Sequence, residues 1–356
     1  MSLITFLTRV HFADRVLEDA LPEALNRLGA TRPMLIMDAA GQVGDTGSRL
    51  EDALPLNAVV TTFPQLGSSV PIGRLRAASE VFVKGECDSL ICLGGKTALD
   101  FGRVLAAFLP GPASRPLIAV PTTVANVGLG PVHMPGLMAS SGKLRQTALP
   151  AAILLDATLT LAVEPHTLAA NGFNALTNCI EAFLATAYNP PADGIALEGI
   201  RRSSLFLERA VSEHGDLDAH RELLAVALNA GLAAQKGFGG VEALARAAED
   251  EIEGGGAHGR LYPSVMRPVM AFNAPAVGGR YQRIAEAMAL PGQSDVADAL
   301  VTMGQRIGLP ERLGTEPIDG QRLDSVARRA AADPANLTNP RHATQADYRA
   351  LLEQAL

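Results

Sequence analysis

The sequence predicts an α/β domain over residues 1–160, built on a mostly parallel sheet, and an all-helical domain over residues 161–356. In the first half, short apolar runs alternate with segments of helical periodicity, which is typical of buried parallel strands joined by helices. In the second half, long helical patterns dominate and strand-like runs nearly vanish. The chain of 356 residues is long enough for two such domains.

The strands of the first domain are predicted where apolar runs end in turn residues or glycine. The runs are Arg32–Asp38, Ala53–Phe63, Ser89–Gly95, Pro116–Thr123 and Ala151–Asp156. Helical periodicity covers Arg74–Asp88 and Thr97–Leu109 in this domain, and Gly194–His214, Arg221–Gln235 and Pro263–Asn273 in the second. The glycine-rich stretch Glu253–Gly259 is interpreted as a loop inside the helical half.

Composition and charge narrow the class of protein. With 48% hydrophobic and 19% charged residues, the chain has an ordinary globular composition. A net charge of −7 and the lack of a basic run argue against nucleic-acid binding. No apolar run approaches the roughly 18 residues of a membrane helix, and Arg9 interrupts the short apolar patch near the N-terminus. We therefore expect neither a membrane segment nor a signal peptide.

The cysteines indicate a reducing compartment. Cys87, Cys92 and Cys179 form no CxxC pair, and an odd number suits a protein without disulfides. We expect buried structural thiols, with a reactive thiol as the alternative. A cytoplasmic location follows as an expectation.

Gly94 and Gly95 end a predicted strand directly before a predicted helix, with Lys96 and Thr97 in the first turn. Glycine lets the backbone approach a phosphate, and a helix N-terminus offers free N–H groups and a favourable dipole. Open parallel sheets bind ligands at this end of their strands. The pattern is neither GxGxxG nor a P-loop, and a tight strand–helix turn is the alternative interpretation.

Two neighbouring strand ends carry further polar residues. Asp38 closes RPMLIMD, where a carboxylate can accept hydrogen bonds from a ribose diol and repel a 2′-phosphate. A turn or N-cap aspartate is the alternative. Thr122 and Thr123, in PTTVANVGLG, either line a cofactor or form an ordinary turn.

In the helical half, Asn174 and Asn178 lie four residues apart, on one face of a predicted helix. Two His or Asp residues at this spacing would form half a metal site, but these side chains are neutral amides. His258 lies in the glycine-rich loop, and imidazole exchanges protons near neutral pH. The other histidines form no HxxxH or HxH cluster, and of them only His133 drew attention, in a PVHMPG turn.

These fragments, in this order, resemble the iron-containing alcohol dehydrogenase family, and within it the maleylacetate reductases. GGKTALDFGR resembles the family's GGGSxxDxAK at Gly94, Gly95 and Asp100, with Arg103 in place of Lys. PTTVANVG keeps the PTT of the family's PTTxxGSE and loses the rest. ILLDATLTLAVEP resembles its D-P-x-L-T-L-x-L-P segment, and NPRHATQADYRALLEQA resembles a C-terminal segment of maleylacetate reductases.

The resemblance spans nearly the whole chain. It implies a dinucleotide-binding α/β domain, a helical domain and an active site between them, in the fold shared with the distantly similar 3-dehydroquinate synthase. It also implies cofactor contacts from the residues already described at the strand ends and from the helix that follows Gly95: Asp38, Gly94, Gly95, Lys96, Thr97, Asp100, Thr122 and Thr123.

The resemblance also implies where a metal would be held, and there the sequence departs from the family. Alcohol dehydrogenases of the family bind a divalent metal through an Asp, a His four residues on, and two further His. Asn174 and Asn178 stand at the first two positions, and Glu242 and Arg246 stand at the spacing of an HxxxH pair. Only His258 is kept. Because neutral amides are poor ligands for Zn²⁺ or Fe²⁺, we expect no tightly bound metal.

The function implied is an NAD(P)-dependent oxidoreductase that reduces a small oxo acid or related carbonyl compound, with NAD expected and NADP as the alternative. His258 would be the catalytic acid, and Lys143, Arg145 or Arg246 would hold a small anionic substrate, with Asn174 and Asn178 as further substrate-binding residues. A homodimer is expected from the family. The second hypothesis is a non-catalytic or regulatory nucleotide-binding paralogue. A non-redox cyclase like 3-dehydroquinate synthase fits poorly, because that enzyme needs a metal.

Overall fold

The structure is a computed structural model, and the part of the chain it describes has several gaps. It describes residues 4, 8–67, 70–111, 115–125, 127–132, 134, 147–213, 215–252, 259–292, 294–313 and 319–356. Contacts divide the chain into two compact units, Thr5–Val163 and Glu164–Leu356, with Met1–Ile4 grouped with the second. The division therefore falls after Val163, and the sequence placed it after residue 160.

The first unit is built on a six-stranded parallel sheet. Its strands are β1 (Arg9–Phe12), β2 (Pro33–Met37), β3 (Thr61–Thr62), β4 (Ser89–Gly94), β5 (Leu117–Pro121) and β6 (Ala152–Leu155). They lie in the order β1-β6-β5-β4-β2-β3, and every pair is parallel. The helices are α1 (Leu17–Leu28), α2 (Thr46–Asp52), α3 (Ile72–Lys84) and α4 (Lys96–Phe108). The predicted parallel α/β architecture is confirmed.

Two strands differ from the sequence prediction. The run Ala53–Phe63 was predicted as one strand, but only Thr61–Thr62 pairs with the sheet, because Pro55 and Asn57 turn the chain and leave Leu56 fully exposed. The edge strand Arg9–Phe12 was not predicted. Its sequence, RVHF, lacks the continuous apolar run of the central strands, and none of its residues is buried.

The second unit is all-helical among its described residues, as predicted. Its helices are α5 (Pro165–Leu184), α6 (Pro190–Ser212), α7 (Leu217–Ala233), α8 (Gly240–Ile252), α9 (Tyr262–Val277), α10 (Arg280–Ala287), α11 (Val296–Arg306), α12 (Gly320–Ala332) and α13 (Gln345–Ala355). The three helices predicted from periodicity correspond to α6, α7 and α9. None of the described helices combines the length and the hydropathy that crossing a membrane requires.

The carboxyl end of α5 is held by two cations. Lys236, whose side chain is fully buried, donates from Nζ to the carbonyl oxygen of Phe183 over 3.0 Å and pairs with Asp193. Arg280 donates from Nη1 to the same carbonyl over 2.6 Å. Positive groups at a helix C-terminus oppose its negative dipole end. These contacts fix α5, the helix that carries Asn174 and Asn178.

Helix α4 packs closely against the central strand β4, and a glycine makes this possible. All six residues of β4 are buried. A Cβ atom added at Gly102 would lie 2.1 Å from Sγ of Cys92. All three cysteines are buried and unbridged, and burial raises the pKa of each thiol, as expected for structural thiols. The Gly102–Cys92 contact sets how near α4 lies to the sheet.

We expect Gly102→Ala to lower the free energy of unfolding by about 1–3 kcal/mol, because the new methyl group overlaps Cys92 Sγ. In a Cys92→Ala background the overlap is gone, and the same change should then be neutral or stabilising, since Ala is the better helix former by about 0.8–1 kcal/mol. Urea unfolding of the four proteins in this cycle measures both effects. An equal cost of Gly102→Ala in the two backgrounds would contradict this packing argument.

Candidate active site

The carboxyl ends of β2, β4 and β5 bring several predicted residues together in the first unit. The backbone N–H of Thr122 donates to the carbonyl of Gly94 over 2.9 Å, and its hydroxyl donates to the carbonyl of Ala40 over 3.0 Å. Gly94 has φ 146°, a conformation that favours glycine. Asp38, Gly94, Gly95 and Thr122 thus lie at one edge of the sheet, where open parallel sheets bind ligands.

The Asp38 carboxylate binds backbone N–H groups at this edge of the sheet. It accepts hydrogen bonds from the backbone N–H groups of Gly95 at 3.1 Å, Ala98 at 3.0 Å and Gly41 at 3.3 Å. Gly95 precedes α4 and has no side chain to cap it, so Asp38 supplies the missing acceptor. These contacts match the N-cap alternative raised by the sequence. The ribose contact of Asp38 stays a prediction.

Thr123 adds an unsatisfied polar group beside the same turn. Its hydroxyl is buried, and among the described residues it has no hydrogen-bond partner. A Cβ added at Gly95 would lie 3.5 Å from this side chain. Buried hydroxyl groups normally have partners, so the Thr123 hydroxyl is available to a bound ligand.

The first turn of α4 carries a cation. Lys96 is half-buried and pairs through Nζ with Asp100, whose side chain is 1% exposed, and Arg103 Nη1 lies 3.9 Å from the same carboxylate. Thr97 is also half-buried. The Asp100 carboxylate therefore faces inward on α4, where it binds cationic side chains of its own helix. Lys96 and Thr97 are the members of the predicted cradle that retain exposed surface.

In the second unit, Asn174 and Asn178 belong to a buried hydrogen-bonded network. Asn178 Nδ2 donates to Asn174 Oδ1 over 3.2 Å, and Asn174 Nδ2 donates to the hydroxyl of Tyr262 over 2.7 Å. The Tyr262 hydroxyl donates to a carboxylate oxygen of Glu242. The other oxygen of Glu242 lies 3.1 Å from Nε of Arg246. Four residues singled out from the sequence thus belong to one network that contains Tyr262. They are Asn174, Asn178, Glu242 and Arg246.

The charges in this network are compensated within the unit. Burial alone lowers the pKa of Arg246, but the carboxylates of Glu242 and Asp333 outweigh it and keep the guanidinium charged. Asp333 Oδ1 lies 3.6 Å from Arg246 Nη2. Burial, followed by the nearby Glu242 and Glu249 carboxylates, raises the pKa of Tyr262 well above its ordinary value, so its phenol stays protonated as a donor.

A second carboxylate fixes the start of α8. Glu181, on α5, accepts hydrogen bonds from the backbone N–H groups of Gly239 at 2.9 Å, Val241 at 2.7 Å and Glu242 at 3.0 Å. Burial and then the Glu242 carboxylate raise its pKa to about 7, while the three N–H groups act to lower it. Glu181 therefore fixes the backbone position from which the Glu242 side chain extends.

Sequence reasoning missed Tyr262 and Glu181. Neither residue belongs to the family's pattern of metal ligands, and a tyrosine directly before a predicted apolar helix resembles a core residue. The only available signal was that Tyr262 follows His258 and Gly259 by a few residues. Glu181 stands in the apolar stretch NCIEAFL, where a lone acid is unusual in a buried helix face.

Four residues singled out from the sequence lie outside the described residues. They are the predicted acid His258, the possible substrate-binding cations Lys143 and Arg145, and His133. Their roles stay predictions. The predicted glycine-rich loop, apart from Gly259, also lies outside the described residues.

The donor set in the second unit does not fit the divalent metal that the family resemblance implies. Asn174 and Asn178 offer a metal only neutral amide oxygens, which are poor ligands for Zn²⁺ or Fe²⁺, and Asn174 Oδ1 already accepts from Asn178. Both oxygens of Glu242 face Tyr262 and Arg246. Within the described ranges, no group of three or more His, Cys, Asp or Glu side chains is arranged to hold a metal.

Comparison with known proteins decides the family. Residues 8–127 match the iron-containing alcohol dehydrogenase family, and residues 168–356 match its C-terminal domain, described as the Fe-containing alcohol dehydrogenase family, C-terminal. The chain belongs to the iron-containing alcohol dehydrogenase family. The predicted resemblance is therefore confirmed, and the chain is an oxidoreductase of that family.

Two relatives and one solved structure show how similar the chain is to known proteins. The chain is 33% identical to a 4-hydroxybutyrate dehydrogenase of Cupriavidus necator, over 100% of both chains. It is 27% identical to a maleylacetate reductase of Rhizobium sp. (strain MTP-10005), over 94% of this chain and 91% of that one. A sulfoacetaldehyde reductase of Bifidobacterium kashiwanohense, solved in complex with NAD+, has the same fold with a TM-score of 0.85 at 20% identity, over 99% and 98% of the chains.

A separate cavity lies in the helical unit, away from the sequence-predicted residues. It has a volume of about 610 Å³ and is lined by residues of α9, α10 and the start of α11, among them Met270, Ala274, Tyr281 and Val296. Its lining is mostly apolar, and its cation, Arg267, pairs with Asp298 over 2.8 Å. The cavity contains none of the residues predicted to do chemistry.

Removing the Asp38 carboxylate tests its capping role. We expect Asp38→Ala to lower the free energy of unfolding by about 1–3 kcal/mol, because the buried N–H groups of Gly95 and Ala98 lose their acceptor. Asp45→Ala is the matched control, since Asp45 precedes α2 but its side chain makes no capping bond. Urea unfolding gives both values. An Asp38→Ala protein as stable as the Asp45→Ala protein would show that Asp38 does not hold α4.

Proposed function

We propose that this chain is a nicotinamide-dependent oxidoreductase that interconverts a small hydroxy acid and the corresponding oxo acid, without a tightly bound metal. The observation that carries the proposal is the 33% identity to a 4-hydroxybutyrate dehydrogenase over the full length of both chains. The similar maleylacetate reductase supports an anionic substrate, because both named compounds are carboxylates. An anionic substrate is common to both.

The cofactor proposed is NAD. Gly95, Lys96, Thr97, Thr122 and Thr123 would hold it, at the sheet edge that suits dinucleotides. The buried, unpartnered hydroxyl of Thr123 and the cation of Lys96 support this placement. When bound, the cofactor supplies the hydride, and the protein's own groups bind and orient the partners and manage the proton.

The substrate carboxylate needs a cation. Arg246 is 6% exposed and its guanidinium faces Glu242 and Asp333, so its contacts favour a role inside the network over direct substrate binding. Lys143 or Arg145 is then the proposed substrate-binding cation. Asn178, which is half-buried, is a further substrate-binding residue in this proposal. The Asn178 Oδ1 atom is buried and has no partner among the described residues.

A proton must reach the carbonyl oxygen as hydride arrives. We assign this proton to His258, because imidazolium donates near neutral pH.

A homodimer is also part of the proposal, and sedimentation of the purified protein tests it.

The deciding experiment has two stages. The purified protein is titrated with NADH and with NADPH, and binding is monitored by fluorescence. We expect saturable binding of NADH and a higher Kd for NADPH. Assays with NADH and the aldehyde of 4-hydroxybutyrate, and then with 2-oxo and 4-oxo acids, should show oxidation of NADH. Binding without turnover on any of these acids would instead support the non-catalytic nucleotide-binding paralogue, and absence of binding would contradict both functions.

Lys96→Gln should raise the Kd for NADH roughly tenfold, because the amide keeps a donor for Asp100 but loses the charge that faces the pyrophosphate. The matched control is Lys84→Gln, on the exposed last turn of α3. Both Kd values come from the same fluorescence titration. Equal Kd values for the two variants would remove Lys96 from the cofactor site.

His258→Ala should lower kcat by about 10²–10⁴-fold while leaving the Kd for NADH nearly unchanged, since the cofactor is assigned to the first unit. His166→Ala, at an exposed position of α5, is the control. Steady-state rates and the NADH titration give the two readouts. Full activity in His258→Ala would assign the proton to another group.

A further inference from the structure

The Tyr262 hydroxyl occupies a position defined by the family's metal ligands. It accepts from Asn174 over 2.7 Å and donates to Glu242, and these two residues stand at the first and third ligand positions implied by the resemblance. Asn178, at the second position, donates to Asn174 over 3.2 Å. Tyr262 is 0% exposed, and its hydroxyl lies between the Asn174 amide and the Glu242 carboxylate.

The carboxylate charge of Glu242 is balanced by a side chain of the protein, Arg246. Glu242 and Arg246 are 5% and 6% exposed, and Arg246 Nε lies 3.1 Å from Glu242 Oε1. A guanidinium cannot lose its proton in a protein, so a cation is fixed beside the carboxylate. A divalent ion placed here would meet a second, permanent positive charge at short range.

The neighbouring carboxylates are committed to the backbone. Glu181 accepts three N–H groups at the start of α8, and Glu249 Oε1 accepts the N–H of Gly259 over 2.8 Å. Neither can turn toward a metal without leaving buried N–H groups unpaired, which is costly.

We propose that Tyr262 is a wedge that replaces the metal of this family's catalytic centre, with Arg246 as its fixed counter-charge. Tyr262 is thus a positioning residue: it holds Asn174 and Glu242 in place through its hydroxyl and excludes an ion from the space between them. The inference goes beyond the proposed function, and its test needs no turnover, so it stands or falls separately from the reductase assay.

The test compares two variants that differ only at residue 262. The first carries Asn174→Asp, Asn178→His, Glu242→His and Arg246→Ala with Tyr262 retained, so that the fixed charge of Arg246 is absent from both, and the second carries the same four changes plus Tyr262→Ala. Both keep His258. Zn²⁺ is titrated into each metal-free protein by calorimetry, and thermal unfolding is recorded with Zn²⁺ and with a chelator. We expect saturable binding of one equivalent, and a zinc-dependent rise in Tm, only when Tyr262 has been removed.

Equal behaviour of the two folded variants would overturn the proposal, whether both bind zinc or neither does. Stoichiometric zinc binding by the unmodified protein, lost on Asn178→Ala, would also overturn it.

A further comparison tests the proposal if the variant that carries Tyr262→Ala does not fold. Tyr262→Phe removes only the hydroxyl and leaves Asn174 and the Glu242 carboxylate without it. Tyr348→Phe is the control, because Tyr348 is equally buried and donates a single hydrogen bond, over 3.1 Å, to Asn336. We expect Tyr262→Phe to lower Tm by roughly 4 °C or more beyond the control. An equal fall in the two variants would refute the wedge.

Discussion

Buried helix N-termini must find hydrogen-bond acceptors, and both candidate sites are built around this constraint. Helix α4 begins directly after Gly95, and helix α8 begins at Gly240, which Gly239 precedes. None of these glycines has a side chain that could accept from the first N–H groups. A buried N–H without a partner costs about 1–3 kcal/mol. In each unit, a carboxylate from another element supplies the acceptor: Asp38 from the end of β2, and Glu181 from α5.

The two carboxylates have opposite consequences for ligand binding. Asp38 places a negative charge at the helix N-terminus where a pyrophosphate is expected, so part of the dipole's attraction is already used. Lys96 offsets this, since it brings a cation to the same turn. Glu181 instead determines the geometry of protein groups, because it fixes the backbone of Glu242 and thereby the carboxylate that meets Tyr262.

The fold was predictable from the sequence where one interaction dominates. The strand SLICLG is buried along its whole length, so hydrophobicity alone identifies it, whereas Arg9–Phe12 gains its strand conformation from pairing with β6 and gives no local signal. The site was predictable only in part. Periodicity placed Asn174 and Asn178 on one face, but the partner that joins them, Tyr262, lies 88 residues from Asn174 along the chain. A long-range hydrogen bond of this kind depends on how helices pack, which local patterns do not encode.

The Asn174–Tyr262–Glu242–Arg246 network couples the residues that it joins. An aspartate at position 174 would face the Glu242 carboxylate across the Tyr262 hydroxyl, and two buried carboxylates without a metal repel each other. An uncharged residue at position 242 would leave the buried Arg246 guanidinium with Asp333, at 3.6 Å, as its one remaining ion-pair partner among the described residues. Each residue is therefore tolerable only with the others present, so substitutions within the network should be strongly non-additive. The tyrosine hydroxyl, which both donates and accepts, is the group that lets neutral amides and a carboxylate share one site.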